Sequence, residues 1–169
     1  MKLVITDLKD FSISIKGEHR IIKPHLSQKA EITEIKLQKT FIPEETAAEL
    51  KTMEALVFSF PLYVDGIPAH LLSCLIQLDN AHWQNREVYI YGIVNCGFHE
   101  GVQAKYALEI LQNWCKKTEL IWGGGIGAGG GGGLANMPST KNGHGPKAPI
   151  DKALQAMADK ILQNKRQKN

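Results

Sequence analysis

The sequence predicts an α/β domain in which a central, mostly parallel sheet of five strands is covered by helices on both faces. Three observations predict it. From about residue 43 onward, apolar runs of strand length alternate with segments of helical periodicity, and such alternation gives a parallel sheet with right-handed connections. The run ALVFSF at residues 55–60 is apolar almost without interruption, as expected of a central strand buried on both faces. A chain of 169 residues that is 43% hydrophobic and 22% charged suits one globular domain over 1–169, large enough to bury a core without staples.

Taken in order, Leu3, Val4 and Ile5 form a short apolar run over residues 2–8 that reads as a buried first strand. The next stretch, FSISIKGEHRII, alternates apolar and polar residues around Lys16-Gly17, which predicts a small hairpin, and Pro24 is expected to break any helix there. Residues 31–37 alternate again and predict a strand. Pro43 followed by EETAAELKTM, with acids early and a lysine late, predicts a short helix. After the strand at 55–60 is stopped by Pro61, AHLLSCLIQL sets Leu71, Leu72, Leu75, Ile76 and Leu78 on a broad apolar helical face. Residues 87–95 (EVYIYGIVN) form the next strand, 96–101 a turn, and 102–117 a helix with Ala104, Ala107, Leu108, Leu111 and Cys115 as its buried stripe. Leu120–Trp122 begins a further short strand that runs into GGGIGAGGGGGL. After a loop to about Pro149, the chain ends on a helix with Ile150, Ala153, Leu154, Met157 and Ile161 at helical spacing.

Composition excludes several classes of function. The net charge of +3 is small and comes largely from the tail residues Lys160, Lys165, Arg166 and Lys168, so no nucleic-acid partner is expected. No run approaches the roughly 20 apolar residues of a spanning helix, and no membrane partner is expected. The N-terminal run is broken by Asp7 and reads as a strand rather than a signal peptide. Cys74, Cys96 and Cys115 are an odd, widely spaced set that suits a reducing, cytoplasmic setting.

In a doubly wound sheet, ligands bind beyond the C-terminal ends of the strands, so the loops after Leu8, Phe60, Asn95 and Trp122 are the places where chemistry is expected. PLYVDGIP fixes a turn with two prolines and a glycine and presents Tyr63, which either stacks on a planar ligand or caps the following helix. In NCGFHEG, Gly97 lets a backbone amide approach a ligand, and Phe98 and His99 add aromatic surface. Two such loops make the walls of a slot of the kind a flavin ring requires, with backbone donors near N5 and the pyrimidine edge.

These stretches, ALVFSFPLYVDGIPAHLL, VYIYGIVNCGFHEG with its helix, and WGGGIGAGG, resemble the flavodoxin-like, NAD(P)H-dependent FMN reductase and quinone reductase family. The resemblance covers residues 54–162, leaving 1–42 as a divergent N-terminal part. It implies a flavodoxin-like three-layer sandwich and an FMN cofactor held by Pro61, Leu62, Tyr63 and Val64 on one side. Asn95, Cys96, Gly97 and Phe98 stand on the other, with His99 shaping the second face of the ring. It further implies an FMN-dependent NAD(P)H oxidoreductase, with NAD(P)H as substrate, that reduces a quinone, flavin or other small-molecule acceptor, and a homodimer. The sequence departs from the family after the first strand. Where a Ser/Thr-rich loop would cradle the FMN phosphate at a helix N-terminus, this chain has Thr6-Asp7-Leu8-Lys9-Asp10-Phe11-Ser12, and two acids repel a dianion. The alternative is therefore a non-catalytic flavodoxin-fold binding or partner protein that has lost the phosphate loop.

Competing motifs fare less well. Cys96 lacks the arginine of a Cys-x5-Arg phosphatase loop, because Val102 stands there. His99 beside Glu100 has no further ligands at metal spacing, so no metal is expected. Gly125, Gly127 and Gly130 satisfy GxGxxG, but the five consecutive glycines from Gly129 satisfy almost any glycine pattern, and no amphipathic helix begins there. The glycine run reads as a flexible lip over the site or a passive linker. Trp83, Trp114 and Trp122 read as core or interface packing.

Overall fold

The computed structural model describes residues 2–7, 22, 26, 30–37, 39–80, 83, 87–97, 99–130 and 144–166. Strands β1 (Lys2–Asp7) and β2 (Glu31–Lys36) come first, followed by helix α1 (Glu44–Lys51) and strand β3 (Ala55–Pro61). Helix α2 (Ala69–Asp79), strand β4 (Tyr89–Asn95), a 3₁₀ turn (Gly101–Ala104) and helix α3 (Lys105–Thr118) come next. Strand β5 (Ile121–Ala128), a second 3₁₀ turn (Gly145–Lys147) and helix α4 (Ala148–Arg166) complete the order. The strands lie side by side as β2-β1-β3-β4-β5, and every pairing is parallel. Strand order reverses between β1 and β3, so the crevice of the sheet opens where those two strands end.

The two central strands explain the layers. All seven residues of β3 are buried, as are six of the seven of β4. Their side chains alternate between two cores. Leu56, Phe58, Phe60, Ile90 and Val94 pack with α1, α2 and α3 on one face. Ala55, Val57, Tyr91 and Ile93 pack with Leu154, Met157, Ala158 and Ile161 of α4 on the other. Trp114 anchors the first core: its indole N–H donates to Leu75 O at 2.9 Å, and its ring meets Phe58 and Trp83 edge-on at 6.0 and 6.4 Å. Trp83 donates to Leu78 O at 3.0 Å, while Trp122 is half-buried against the same core.

Three expectations are corrected. The hairpin expected from Phe11 to Ile22 lies almost wholly outside the described residues, but Ile22 and Leu26 both have helical backbone and are fully buried in the α4-side core. Ala30 N donates to Leu26 O at 2.9 Å, a helical bond. Pro24 lies outside the described residues; the four-residue spacing of Ile22 and Leu26 suits a single helical face. On α2, Leu72 and Ile76 are 43% and 54% exposed, while Cys74 is buried. At 100° per residue the centre of the buried face runs through Leu71, Leu75 and Leu78, which turns Leu72 and Ile76 outward.

The glycine run is the third correction. Gly123–Gly127 form neither lip nor linker but the body of β5, paired with β4 through a bulge between Ile90 and Tyr91 where Gly124 takes φ 138°. The neighbours explain the composition. A Cβ on Gly123 would run into the Tyr91 ring, one on Gly125 would come within 2.5 Å of Leu108 Cδ2, and one on Gly127 would strike the backbone of Gly101. Glycine lets these groups sit directly on the strand. The residues from Gly131 to Gly143 lie outside the description.

Candidate functional site

Register brings the two predicted loops together. Pro61 at the end of β3 pairs with Asn95 at the end of β4, and Asn95 pairs with Ala128 at the end of β5. Leu62 N donates to Asn95 O at 2.7 Å, and Cys96 N donates to Ala128 O at 2.8 Å, so both loops leave the sheet from one rigid edge. Pro61 and Leu62 thus stand beside Asn95; Tyr63 and Val64 continue the first loop, and Cys96, Gly97 and His99 the second. Phe98 lies outside the described residues, as do Lys9, Asp10 and Ser12 of the stretch after β1.

The first loop is a closed two-residue turn. Tyr63 N donates to Gly66 O at 3.0 Å, and Gly66 N returns the bond to Tyr63 O at 2.9 Å. Val64 and Asp65 span it with φ of 43° and 60°, the type I′ geometry that normally selects Asn and Gly. A β-branched residue with positive φ is strained. Val64 is nonetheless there, with its side chain 101% exposed. Such strain persists only where surrounding bonds over-determine the backbone, and it gathers at ligand clamps.

The second loop is pressed against β5. A Cβ on Gly129 would strike His99 O, and one on Gly101 would strike Gly127 O, so bare backbone touches bare backbone on this side. Gly127 and Gly129 were legible in the sequence only as part of a glycine-rich run, and Gly101 only as the end of the 96–101 turn, because the contact depends on strand register. Gly97 is the contrast: a Cβ there would meet nothing within 4 Å, which leaves room above the loop. Cys96 is buried, with its thiol 3.4 Å from Glu100 O, and His99 is exposed.

Polar groups at the strand ends complete the site. Asn95 is 2% exposed and its Oδ1 has no hydrogen-bond partner; the same holds for Oγ of Ser59, which is 1% exposed. Continuing the alternation of β3 and β4 places both side chains on the α4 face, with Ser59 in register between Asp7 and Ile93. Sequence reasoning did not single out Ser59, although a lone hydroxyl in ALVFSF was a visible signal. A buried acceptor without a donor is costly, and Asn95 would accept from a donor group of a ligand at the strand ends. The expected backbone donors are partly spent, since the amides of Leu62, Tyr63 and Cys96 are bonded within the protein. Donors for a ring edge come from the loop beyond Cys96, where Gly97 leaves space. With these provisions the residues present fit a planar, polar-edged ligand.

Two cavities flank β5 instead. One of about 210 Å³ lies between the end of β5 and the start of α4, against Gly129, Pro149 and Ile150. The other, about 360 Å³, lies between β5 and α3, against Trp122, Gly125 and Lys105. None of the eight described residues among the predicted set lines either. Among the described residues no cluster of His, Cys, Asp and Glu could hold a metal ion, and no helix is long and apolar enough to cross a membrane.

No protein-family model and no curated protein matches the sequence. Solved structures do match over nearly the whole chain. An NADPH-quinone reductase from P. pentosaceus superposes with a TM-score of 0.63 at 16% identity, covering 94% of this chain and 97% of its own. A WrbA-like flavodoxin from Agrobacterium tumefaciens gives 0.64 at 12% identity, with 98% of each chain covered. The azoreductase AzrA gives 0.57 at 14%, covering 96% of this chain and 99% of its own. Identities this low establish the fold, which is flavodoxin-like, with a parallel sheet flanked by helices.

Proposed function

We propose that the chain is a flavodoxin-fold oxidoreductase that holds FMN between the Tyr63 turn and the loop from Cys96 to His99, and reduces a quinone, flavin or similar small acceptor with NAD(P)H. The observation that carries the reading is the junction of the two loops at the paired ends Pro61 and Asn95, with an orphaned acceptor, Asn95 Oδ1, beneath them. The fold neighbours named as a quinone reductase, a flavodoxin and an azoreductase agree with it.

When bound, the flavin supplies the two-electron carrier that takes hydride from the nicotinamide and hands electrons to the acceptor. The protein's part is positioning. Tyr63 offers an aromatic wall on a turn closed by two backbone bonds, so little freedom is lost when a ring stacks on it. Asn95 Oδ1 accepts a hydrogen bond from a donor group of the ligand. His99, exposed on the facing loop, donates a proton or hydrogen bond to the reduced acceptor. The buried thiols suit a reducing cytoplasm.

Titration of flavin fluorescence tests the reading. FMN is expected to be quenched with micromolar affinity or better, and Tyr63→Ala to weaken it about tenfold, the upper range for one lost stacking contact. A flat titration of the wild type refutes it. A specific observation favours a second reading, a non-catalytic binding protein without a phosphate loop: Asp7 ends β1 beside Ser59, at the switch point of the sheet. Riboflavin binding as tightly as FMN, with no NAD(P)H oxidation, is the outcome of that reading.

A further inference from the structure

We infer that the open edge of β5 is a docking site for an extended, uncharged segment of a partner protein, which joins the sheet as an added strand. Among the described residues β5 ends the sheet and pairs with β4 alone. A bare edge offers a row of unpaired amides and carbonyls, and folded proteins ordinarily blunt it with charges or proline. The opposite edge is blunted in that way, since three of the six residues of β2 are charged: Glu31, Glu34 and Lys36. The eight residues of β5, IWGGGIGA, carry no charge and no proline.

Hydrogen bonds at the two ends of β5 fix which of its groups are free. Ile121 N donates to Val88 O at 3.0 Å, and Cys96 N donates to Ala128 O at 2.8 Å, so both end residues turn their backbone toward β4. In a parallel ladder the amide and carbonyl of one residue point to the same side, and the side alternates along the strand. Counting back from Ala128, Ile126 and Gly124 also face β4, whereas Gly127 and Gly125 face outward, and both of these glycines are exposed. The Gly127 carbonyl lies against Gly101, which leaves Gly125 N–H, Gly125 C=O and Gly127 N–H for an incoming strand.

The groove beside this edge identifies the occupant. The cavity of about 360 Å³ between β5 and α3 is lined by Gly125 and Gly127 themselves, so every second side chain of an added strand enters or overlies it. Trp122 and Leu108 give the cavity apolar surface and Gln112 adds an amide, while Lys105 and Glu109, 3.8 Å apart, offset each other's charge on its wall. A strongly charged segment therefore finds no counter-charge, either there or on β5. A neutral segment is the complement, with one large apolar side chain in the cavity and hydroxyl or amide side chains around it. A second β5 is a poor match, because its positions on the α3 face beyond Trp122 are Gly125 and Gly127, which have no side chain to insert. In strand addition the main-chain bonds supply affinity and the side-chain slot supplies selectivity. The inference stands apart from the flavin reading, since no residue of the candidate site lines the groove.

Amide-resolved NMR of the whole chain tests it, with the end-blocked peptide Ser-Thr-Thr-Phe-Thr-Thr-Ser as probe. In dilute protein alone the Gly125 and Gly127 amides are expected to exchange freely with solvent. On titration with the peptide both should shift, and their exchange should slow about twofold at half occupancy. Alanine in place of the peptide's phenylalanine should weaken binding about tenfold or more. Of the two sets of alternate peptide amides, methylation of one should abolish binding and methylation of the other should leave it. Glu109→Lys, which sets two lysines on the groove wall, should transfer the preference to the same peptide with glutamates two residues either side of phenylalanine. Amides of Gly125 and Gly127 that do not respond to about 1 mM peptide, or that are already protected in dilute protein, overturn the inference. So does protection that rises with protein concentration alone, which would assign the edge to a second copy, and so does a lysine-rich or glutamate-rich peptide of the same length that binds the wild type as tightly as the neutral one.

Discussion

Replacing Ser59 with alanine should stabilise the ligand-free protein. The side chain is 1% exposed, in a strand whose residues are all buried, and its hydroxyl has no partner. Leaving a buried hydroxyl unsatisfied costs roughly 1–3 kcal/mol. Alanine removes only that oxygen, so the void it creates is smaller than a methylene and offsets only part of the gain. The net effect is a stabilisation of about 1 kcal/mol, which in a domain of this length raises Tm by roughly 2–4 °C. Urea unfolding followed by far-UV CD measures it as a higher midpoint at constant slope. A fall of about 1 kcal/mol or more would refute the reasoning, because it would mean that the hydroxyl is bonded in the folded state. Repeating the measurement with saturating FMN adds a sign test. If a bound group satisfies Ser59, ligand linkage favours the wild type and the advantage of alanine shrinks.

The glycines around the site should rank by what faces them. Gly127→Ala is expected to cost about 2–3 kcal/mol in urea unfolding because Gly101 backbone must move. Gly125→Ala should cost less, because a Leu108 methyl can yield, and Gly97→Ala should leave stability unchanged, since its Cβ meets open space. Val64→Asn should stabilise the fold by about 1 kcal/mol, because a fully exposed β-branched residue at φ 43° packs against nothing and Asn tolerates that conformation; an unchanged or lower midpoint would show that the turn is not strained. Alkaline pH should expose Cys115. Burial pushes its thiol up to about 12, from an ordinary value of 9.0. The unfolded chain therefore releases that proton first, and the stability present below pH 9 is lost as pH rises from 9 toward 12. By pH 10 the loss is about 1.4 kcal/mol, and Cys115→Ala should flatten the stability profile between pH 9 and 11. The wild-type profile should fall further above pH 10, where Tyr91, also pushed up to about 12 by burial against the opposing hydrogen bond from Asn164, begins to contribute.

What was legible in the sequence is what one strand or helix decides by itself. The uninterrupted run at 55–60, the helical stripe Ala107-Leu111-Cys115 and the stripe of α4 each name their element, because burial on both faces or on one stripe writes directly into residue type. Ile22, the end of the expected hairpin, was misread because its burial against α4 is set by residues distant in sequence and not by the alternation around it. Gly123–Gly127 were misread for a different reason. Glycine in a strand is chosen by what lies across from it, here Tyr91, Leu108 and Gly101, and none of those neighbours is adjacent in sequence. Leu72 and Ile76 were assigned to the core because apolar character alone does not reveal which side of a broad face is covered.

The same distinction explains the candidate site. Tyr63 and Gly97 could be singled out from the PLY and NCG stretches, since prolines and glycines announce turns locally. The features that give the site its physical character are not local. Val64 and Asp65 take positive φ although the glycine of the turn is Gly66, because the reciprocal bonds between Tyr63 and Gly66 impose the geometry. Asn95 Oδ1 and Ser59 Oγ are orphaned only because β3 and β4 run side by side to a common end. A strained turn, two unsatisfied buried oxygens and a bare backbone contact at Gly101 and Gly127 all fall at the C-terminal edge of one sheet. The strain and the orphaned oxygens lower stability, and elsewhere in β3 and β4 the packing is apolar and paired. Costs gathered at the edge where doubly wound sheets bind ligands are those expected of a site shaped for a bound group rather than for the empty fold.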